Sequence, residues 1–228
     1  MKKGGTLVTH GTAKRGTLSQ KAKFTLGQGN LREAVKLPEN EDVHEWIASN
    51  IVDFFNEVSL LYGLCADDAK KYSKPGEGFP PGYSYLIPSN SRTPIKCSSP
   101  EYVDYVMTWI EDQINNEAIF PVQATQSFPE DFVSTYAANI FKRLFRVFAI
   151  IYVRGGRPRA PLSPALTRTR AQQAHFPAIE RVDAVGHLNT CFKHFVFFCL
   201  EFDLLEDKET QALEGPFLRL KEEYERGR

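Results

Sequence analysis

Acidic residues are missing from two long stretches of this chain. The first Asp or Glu is Glu33, and none occurs between Phe132 and Ile179. Cysteine is sparse as well. Cys65, Cys97, Cys191 and Cys199 are scattered without paired spacing, which argues against a disulfide framework and for a reduced intracellular setting. No apolar run reaches the length a bilayer demands. The opening residues MKKGGTLVTHGTAKRG lack the apolar centre of a signal peptide. There is no Gly-rich phosphate loop, no HExxH and no nucleophile elbow, so the common catalytic signatures are absent.

What is present is charge sorted by position. The 28 basic and 28 acidic residues cancel formally. Lys2, Lys3, Lys14, Arg15, Lys21, Lys23 and Arg32 all precede the first acid. Residues 33–57 reverse the sign, with Glu33, Glu39, Glu41, Asp42, Glu45, Asp53 and Glu57 against Lys36. Residues 132–179 are basic again, and the chain from Glu201 leans acidic. A neutral total argues against bulk nucleic-acid binding, and no DNA partner is expected. Opposed patches suit a protein partner met by complementary charge.

At 228 residues the chain fits one domain, and seventeen Phe and nine Tyr can fill its core. Residues 1–23, polar and basic, read as a mobile tail. The spacing predicts a helix over about 40–62, with Val43, Ile47, Ile51, Phe54, Val58 and Leu61 as its core stripe and Gly63 as its stop. Residues 64–82 read as a Gly/Pro-rich loop, and 83–87 with 95–97 as a small hairpin. A helix over 98–116 starts with Ser99 as its cap and Pro100 at its first position. A further helix covers about 130–153. Residues 154–186 read as a flexible loop carrying Arg154, Arg157, Arg159, Arg168 and Arg170. The segment 187–205 is apolar almost all round, as a buried central helix would be, and 207–226 is amphipathic. The sum is a mainly α fold, a helical bundle with a minor hairpin.

Two constellations carry chemistry. In IFKRLFRVFAIIY, residues 140–152, the apolar side chains share one face, and Lys142, Arg143 and Arg146 fall on the other within one turn. Guanidinium donors fork onto phosphate oxygens, so these cations suit a phosphate. With no acid between 132 and 179, their anion comes from far along the chain or from a partner. The bland alternative is a solvated helix face. On the helix at 40–62, Asp42, Glu45, Ser49 and Asp53 lie opposite the core stripe, with Trp46 at the edge. Carboxylates bordered by an exposed aromatic suit a basic partner, although Asp42 and Glu45 also have capping-box spacing. His187, Cys191 and His194 share one helix face and could hold a metal or activate a thiolate. A buried, satisfied cluster is the default for so apolar a segment.

Four segments, LPENEDVHEWIASNIVDFFNEVSLLYG, PIKCSSPEYVDYVMTWIEDQI, FKRLFRVFAIIY and HLNTCFKHFVFFCLEFDLL, occur in this order, preceded by GQGNLREAVKLPE. In them the chain resembles the Mob (Mps-one-binder) family of kinase activators, over about 27–152 and 187–205. The resemblance implies a Mob-like four-helix bundle with additional helices and a non-catalytic role. It implies that Glu41, Asp42, Glu45, Trp46 and Asp53 bind the basic N-terminal regulatory segment of an NDR/LATS-type AGC kinase. It implies that Lys142, Arg143 and Arg146 take a phosphothreonine segment of an upstream Ste20-type kinase or scaffold. Thr25 matches a family phosphorylation position, although Phe24 replaces the usual small neighbour. Mitotic exit, cytokinesis or Hippo-type signalling follows as the setting. The place would be the cytoplasm, with the nucleus, spindle pole or division site as further ones, and the state a monomer. A divergent module using its basic surface, RGGRPR above all, for RNA or acidic lipid is the alternative.

The family holds a structural zinc with two Cys after the first helix and two His around the third. Here residues 64–82 contain only Cys65, and residues 149–155 contain no His. Four ligands are required, so the zinc is expected to be lost and no cofactor is expected.

Overall fold

A computed structural model describes residues 7–27, 29–89, 93–123, 125–153 and 175–226. The chain enters along residues 7–10, where Val8 and the Asn56 side chain exchange two hydrogen bonds of 2.9 Å. The helix α1 (Ala13–Gly27) follows, then α2 (Leu31–Val35) and the long α3 (Val43–Gly63). A short α4 (Ala66–Ala69) precedes turns and the hairpin β1 (Leu86–Ile87) and β2 (Ile95–Lys96). The hairpin is antiparallel, with Leu86 opposite Lys96 and Ile87 opposite Ile95. Then come α5 (Ser99–Ile114), a π-helical turn (Phe132–Ala137) running into α6 (Ala138–Ile151), α7 (Phe176–Arg181) and α8 (Val185–Glu201). The chain closes with α9 (Asp207–Thr210), a 3-10 turn (Gln211–Leu213) and α10 (Glu214–Glu225). The architecture is mainly α with one small sheet, as the sequence pattern requires.

Local chemistry sets the helix ends. Asp42 caps α3 by accepting from the N–H groups of His44 (2.9 Å) and Glu45 (3.0 Å), which satisfies donors no helical carbonyl can reach. At α5 the cap is Ser98, one residue before the expected Ser99. Its N–H and hydroxyl both donate to Glu101 Oε2, at 2.7 and 2.8 Å.

The core runs between α3, α5, α6 and α8. Ile47, Ile51, Phe54, Val58 and Leu61 of the predicted stripe are buried, and Val43 packs at the margin. Phe54 is the hub: its ring lies 5.4–5.8 Å from those of Phe141, Phe195 and Phe198, and 4.8 Å from His194. The central helix is α3, which packs against α1, α4, α5, α6, α8 and the π turn. The segment 187–205 is mostly buried but keeps His187, Asn189 and Thr190 exposed, so it shares that role with α3 rather than holding it alone.

Two expectations are corrected. Residues 13–23 are not a mobile tail. They are most of α1, and Arg15, Leu18, Ser19 and Ala22 are buried beneath it. The weak apolar periodicity of this helix hid it, because half of what it buries is polar. Within 154–186, residues 176–181 are helical as α7, with Phe176, Ala178 and Ile179 in the core. The arginines at 154, 157, 159, 168 and 170 lie outside the described residues, as does the loop character expected for 154–174.

Candidate functional site

The acidic row of α3 has its cations in place already, and they come from α1. Arg15 donates from Nε to Glu45 Oε2 at 2.7 Å and from Nη2 to the Pro121 carbonyl at 2.6 Å, while its guanidinium lies 5.1 Å from the Phe128 ring. Lys21 reaches Glu41 at 2.8 Å, and Lys14 approaches the same carboxylate at 3.9 Å. The Lys21 hydrogen bond holds the Glu41 carboxyl below its usual pKa. Further along, Lys23 Nζ stands 3.2 Å and His10 Nε2 3.3 Å from Asp53 Oδ1, and Ser19 donates to it at 3.0 Å. Burial pushes the Asp53 carboxyl up, but these partners outweigh it and its pKa ends below the ordinary value.

The structure brings Glu41, Glu45 and Asp53 together as one row beneath α1. Asp42 stays exposed and is spent on capping α3. Trp46 is not a surface anchor. It is 1% exposed, packs near Phe198 and donates from Nε1 to the Val35 carbonyl at 3.1 Å. Ser49 is buried too, its hydroxyl donating to the Arg15 carbonyl at 2.9 Å. A single-stripe reading of α3 missed this because α1 and α2 cover its second side. Thr25 sits in the last turn of α1, where its hydroxyl donates to the Lys21 carbonyl at 3.2 Å. It lines a groove of ≈ 740 Å³ with Lys21, Lys36, Leu37 and the exposed Phe24.

Lys142, Arg143 and Arg146 do converge on the outer face of α6. Arg143 lies 4.0 Å over the Trp109 ring and donates to the Asn139 carbonyl at 3.1 Å. Arg146 lies 5.0 Å over the Tyr85 ring and donates to the Tyr102 hydroxyl at 3.3 Å. The acid that the local sequence lacks arrives from α9: Glu209 meets Lys142 at 2.6 Å and Arg146 at 3.1 Å. Burial raises the Glu209 carboxyl, but the two cations outweigh it, and its pKa is lowered. Burial likewise lowers Arg143, whereas the Tyr102 hydroxyl and Glu209 hold Arg146 above its usual value against the same burial. Neither Glu209, 63 positions from Arg146, nor the stacking of Tyr85 and Trp109 leaves a signal in local spacing.

Cys65 and residues 149–151, on which the expected loss of zinc rests, are packed side chains. Cys65 is buried, donates to the Tyr62 carbonyl at 3.2 Å, and burial pushes its thiol up to about 12. Ala149, Ile150 and Ile151 are packed apolar side chains. His175 is fully buried, and its Nε2 lies 3.1 Å from Ser99 Oγ and 3.2 Å from the Gly78 carbonyl. A carbonyl only accepts, so Nε2 carries the proton, and Nδ1 is left unpartnered. The ring packs 5.0 Å from Tyr72. Among the described residues no group of three or more His, Cys, Asp and Glu could hold a metal ion, and residues 154–174 contain none of these types.

The third constellation separates. Cys191 Sγ lies 3.8 Å from the nearer nitrogen of exposed His187, while His194 is buried against Phe54. Burial pushes the Cys191 thiol well up, with Glu57 adding to it, which opposes a reactive thiolate. Among the described residues no helix is long and apolar enough to cross a membrane.

The fold is a mainly α bundle with an acidic row paired by α1 and a cationic cluster on α6 paired in part by Glu209. The model of the Mob1/phocein family matches residues 23–155 and 171–213, most of the chain, and the chain belongs to that family. It is similar to "MOB kinase activator-like 1 homolog B" of Dictyostelium discoideum, 42% identical over 203 residues, 88% of this chain and 84% of the relative. It is similar to "MOB kinase activator-like 1A" of Arabidopsis thaliana, 42% identical over 192 residues, 83% of this chain and 80% of the relative. "MOB kinase activator-like 1A" of Medicago sativa subsp. falcata is 41% identical over 206 residues, 89% and 86% of the two chains.

Proposed function

We propose that the chain is a non-catalytic kinase coactivator. It binds the basic N-terminal regulatory segment of an NDR/LATS-type AGC kinase along Glu41, Glu45 and Asp53, and it carries a phosphothreonine site at Lys142, Arg143 and Arg146. The names of its relatives support a kinase-activating adaptor. The single observation that carries the finer reading is the seating of α1: a basic helix lies along the acidic row and pairs each of its carboxylates. A surface that accepts such a helix from its own chain has the charge and shape to accept one from a partner.

On this reading α1 and the kinase segment compete. An isolated helix of this length and composition is marginal in water. Its lysine pairs are half-exposed, so solvent screens them and they hold the helix weakly. Leu18, Ala22 and Arg15 supply the rest of the hold. That puts α1 among the elements that open before the core does. Mitotic exit, cytokinesis or Hippo-type signalling is the setting, with a monomer acting in the cytoplasm, the nucleus or at the spindle pole.

The test is a pull-down of such a kinase segment with Glu41→Lys/Glu45→Lys protein. Loss of capture at unchanged folding supports the reading, and undiminished capture removes the acidic row from it. The alternative use of the basic surface for RNA or acidic lipid rests on RGGRPR, outside the described residues, and nothing described favours it.

A further inference from the structure

We infer that Glu209 is the built-in occupant of the anion site on α6, so that a phosphate enters by displacing it and weaker anions do not enter at all. This rests on the reading of Lys142, Arg143 and Arg146 as a phosphate site and adds how that site chooses its ligand.

The geometry is that of a bound anion. Each carboxylate oxygen of Glu209 takes one cation, Oε1 from Lys142 at 2.6 Å and Oε2 from Arg146 at 3.1 Å, as two oxygens of a phosphate would. Arg146 has little left for an outside ligand. Its Nη1 is held by the Tyr102 hydroxyl and its plane lies over Tyr85, so it cannot turn outward while Nη2 stays on Glu209. Arg143 has no carboxylate partner among the described residues. Its donors go to Asn139 and its plane to Trp109, which leaves it as the cation an arriving anion meets first. Among the described residues the remaining groups around the site add no second competitor. Tyr102, Tyr105 and Trp109 face it from α5 and Tyr85 from the position just before β1. On the α9 side Lys208 is paired with Glu206 at 2.5 Å.

Glu209 is also placed to leave. It stands on the four-residue α9 beside the buried Thr210, its side chain 11% exposed, and the exchange needs only that side chain to rotate outward while the backbone stays put. The exchange is selective by charge. A phosphate monoester brings a charge of about −1.5 to −2 and three acceptor oxygens, against one charge and two oxygens on Glu209. It can engage Lys142, Arg143 and Arg146 together. A glutamate side chain of a partner brings only what Glu209 already provides. Glu209 therefore sets a threshold that phosphothreonine passes and a carboxylate mimic does not.

The experiment titrates N-acetyl-phosphothreonine-methylamide and N-acetyl-glutamate-methylamide into the full chain, as wild type, Glu209→Gln and Arg146→Ala, followed by NMR. Glu209→Gln should bind the phosphorylated probe about ten-fold more tightly or better, since binding no longer waits for the open state. It should also gain detectable binding of the glutamate probe. Should Glu209→Gln fold poorly, Glu209→Asp keeps the charge but withdraws it by one methylene, and should tighten phosphate binding in the same direction. Equal or weaker phosphate binding by these variants, with binding abolished in Arg146→Ala, overturns the proposal and leaves the anion site standing. No phosphate binding by wild type or by any variant removes both.

Discussion

Arg15 and Glu45 stand 30 positions apart in sequence and 2.7 Å apart in space, and this contact joins the basic start of the chain to its first acidic stretch. Arg15 is 1% exposed, and the same guanidinium satisfies the Pro121 carbonyl. Removing it strands a carboxylate and a carbonyl at once. Arg15→Ala is expected to cost about 3 kcal/mol, at the lower end for a broken buried pair. The loss should appear in urea unfolding, and hydrogen exchange should quicken along α1 before it quickens in α3.

Thr25 supplies a second handle on α1. It lies two residues from the C-terminal end of that helix, where the helix dipole is negative. A phosphate there is repelled by the dipole and draws Lys21 away from Glu41. Phosphorylation of Thr25, or Thr25→Glu as a weaker stand-in, is expected to accelerate amide exchange in residues 20–27 and leave α6 unchanged. Uniform exchange in both forms removes Thr25 as a switch.

Charge sorting was legible in the sequence, and so was most of the helical plan. The stripe from Ile47 to Leu61 and the cation set on α6 follow from periodicity alone. The failures share a cause. Ser49 and Arg15 are polar groups buried between α1 and α3, and Trp46 is an amphipathic one buried against Val35 and Phe198; a pattern that equates polarity with solvent places all three outside. Glu209 and His175 act across 63 and 76 positions onto Arg146 and Ser99, and no local spacing encodes a contact of that range.

His175 ties α7, the 70–80 turns and α5 together. Gly78 is part of that tie. Its φ is +80°, and a Cβ there would stand 2.1 Å from Ser99 Oγ and 2.8 Å from Tyr72. Gly78→Ala is expected to destabilise by about 2 kcal/mol or more. Prolonged chelation should leave the wild-type Tm unmoved, whereas a fall of several degrees would reveal a metal.

The same residue sets an acid limit. Burial lowers His175 and His194 to about 4 from an ordinary 6.5. The unfolded chain therefore takes up protons first as pH falls. The histidine contribution should be full above about pH 6.5, decline through pH 5 and be exhausted below about 4, where protonation of Glu41, Asp53 and Glu209 takes over as the acid loss. Across that window each histidine should cost roughly 1.4 kcal/mol for every full step in pH. Denaturant midpoints between pH 7.5 and 4 measure it, and His175→Ala should flatten part of the slope.

The central claim is that α1 and a basic kinase segment contend for Glu41, Glu45 and Asp53. Calorimetric titration of that segment into wild type and into Lys14→Glu/Lys21→Glu/Lys23→Glu protein tests it directly. The expected result is binding to both, several-fold tighter to the variant whose α1 is repelled from the row, and weaker in both as salt rises. Equal affinity for the two proteins, or none for either at low salt, would contradict it.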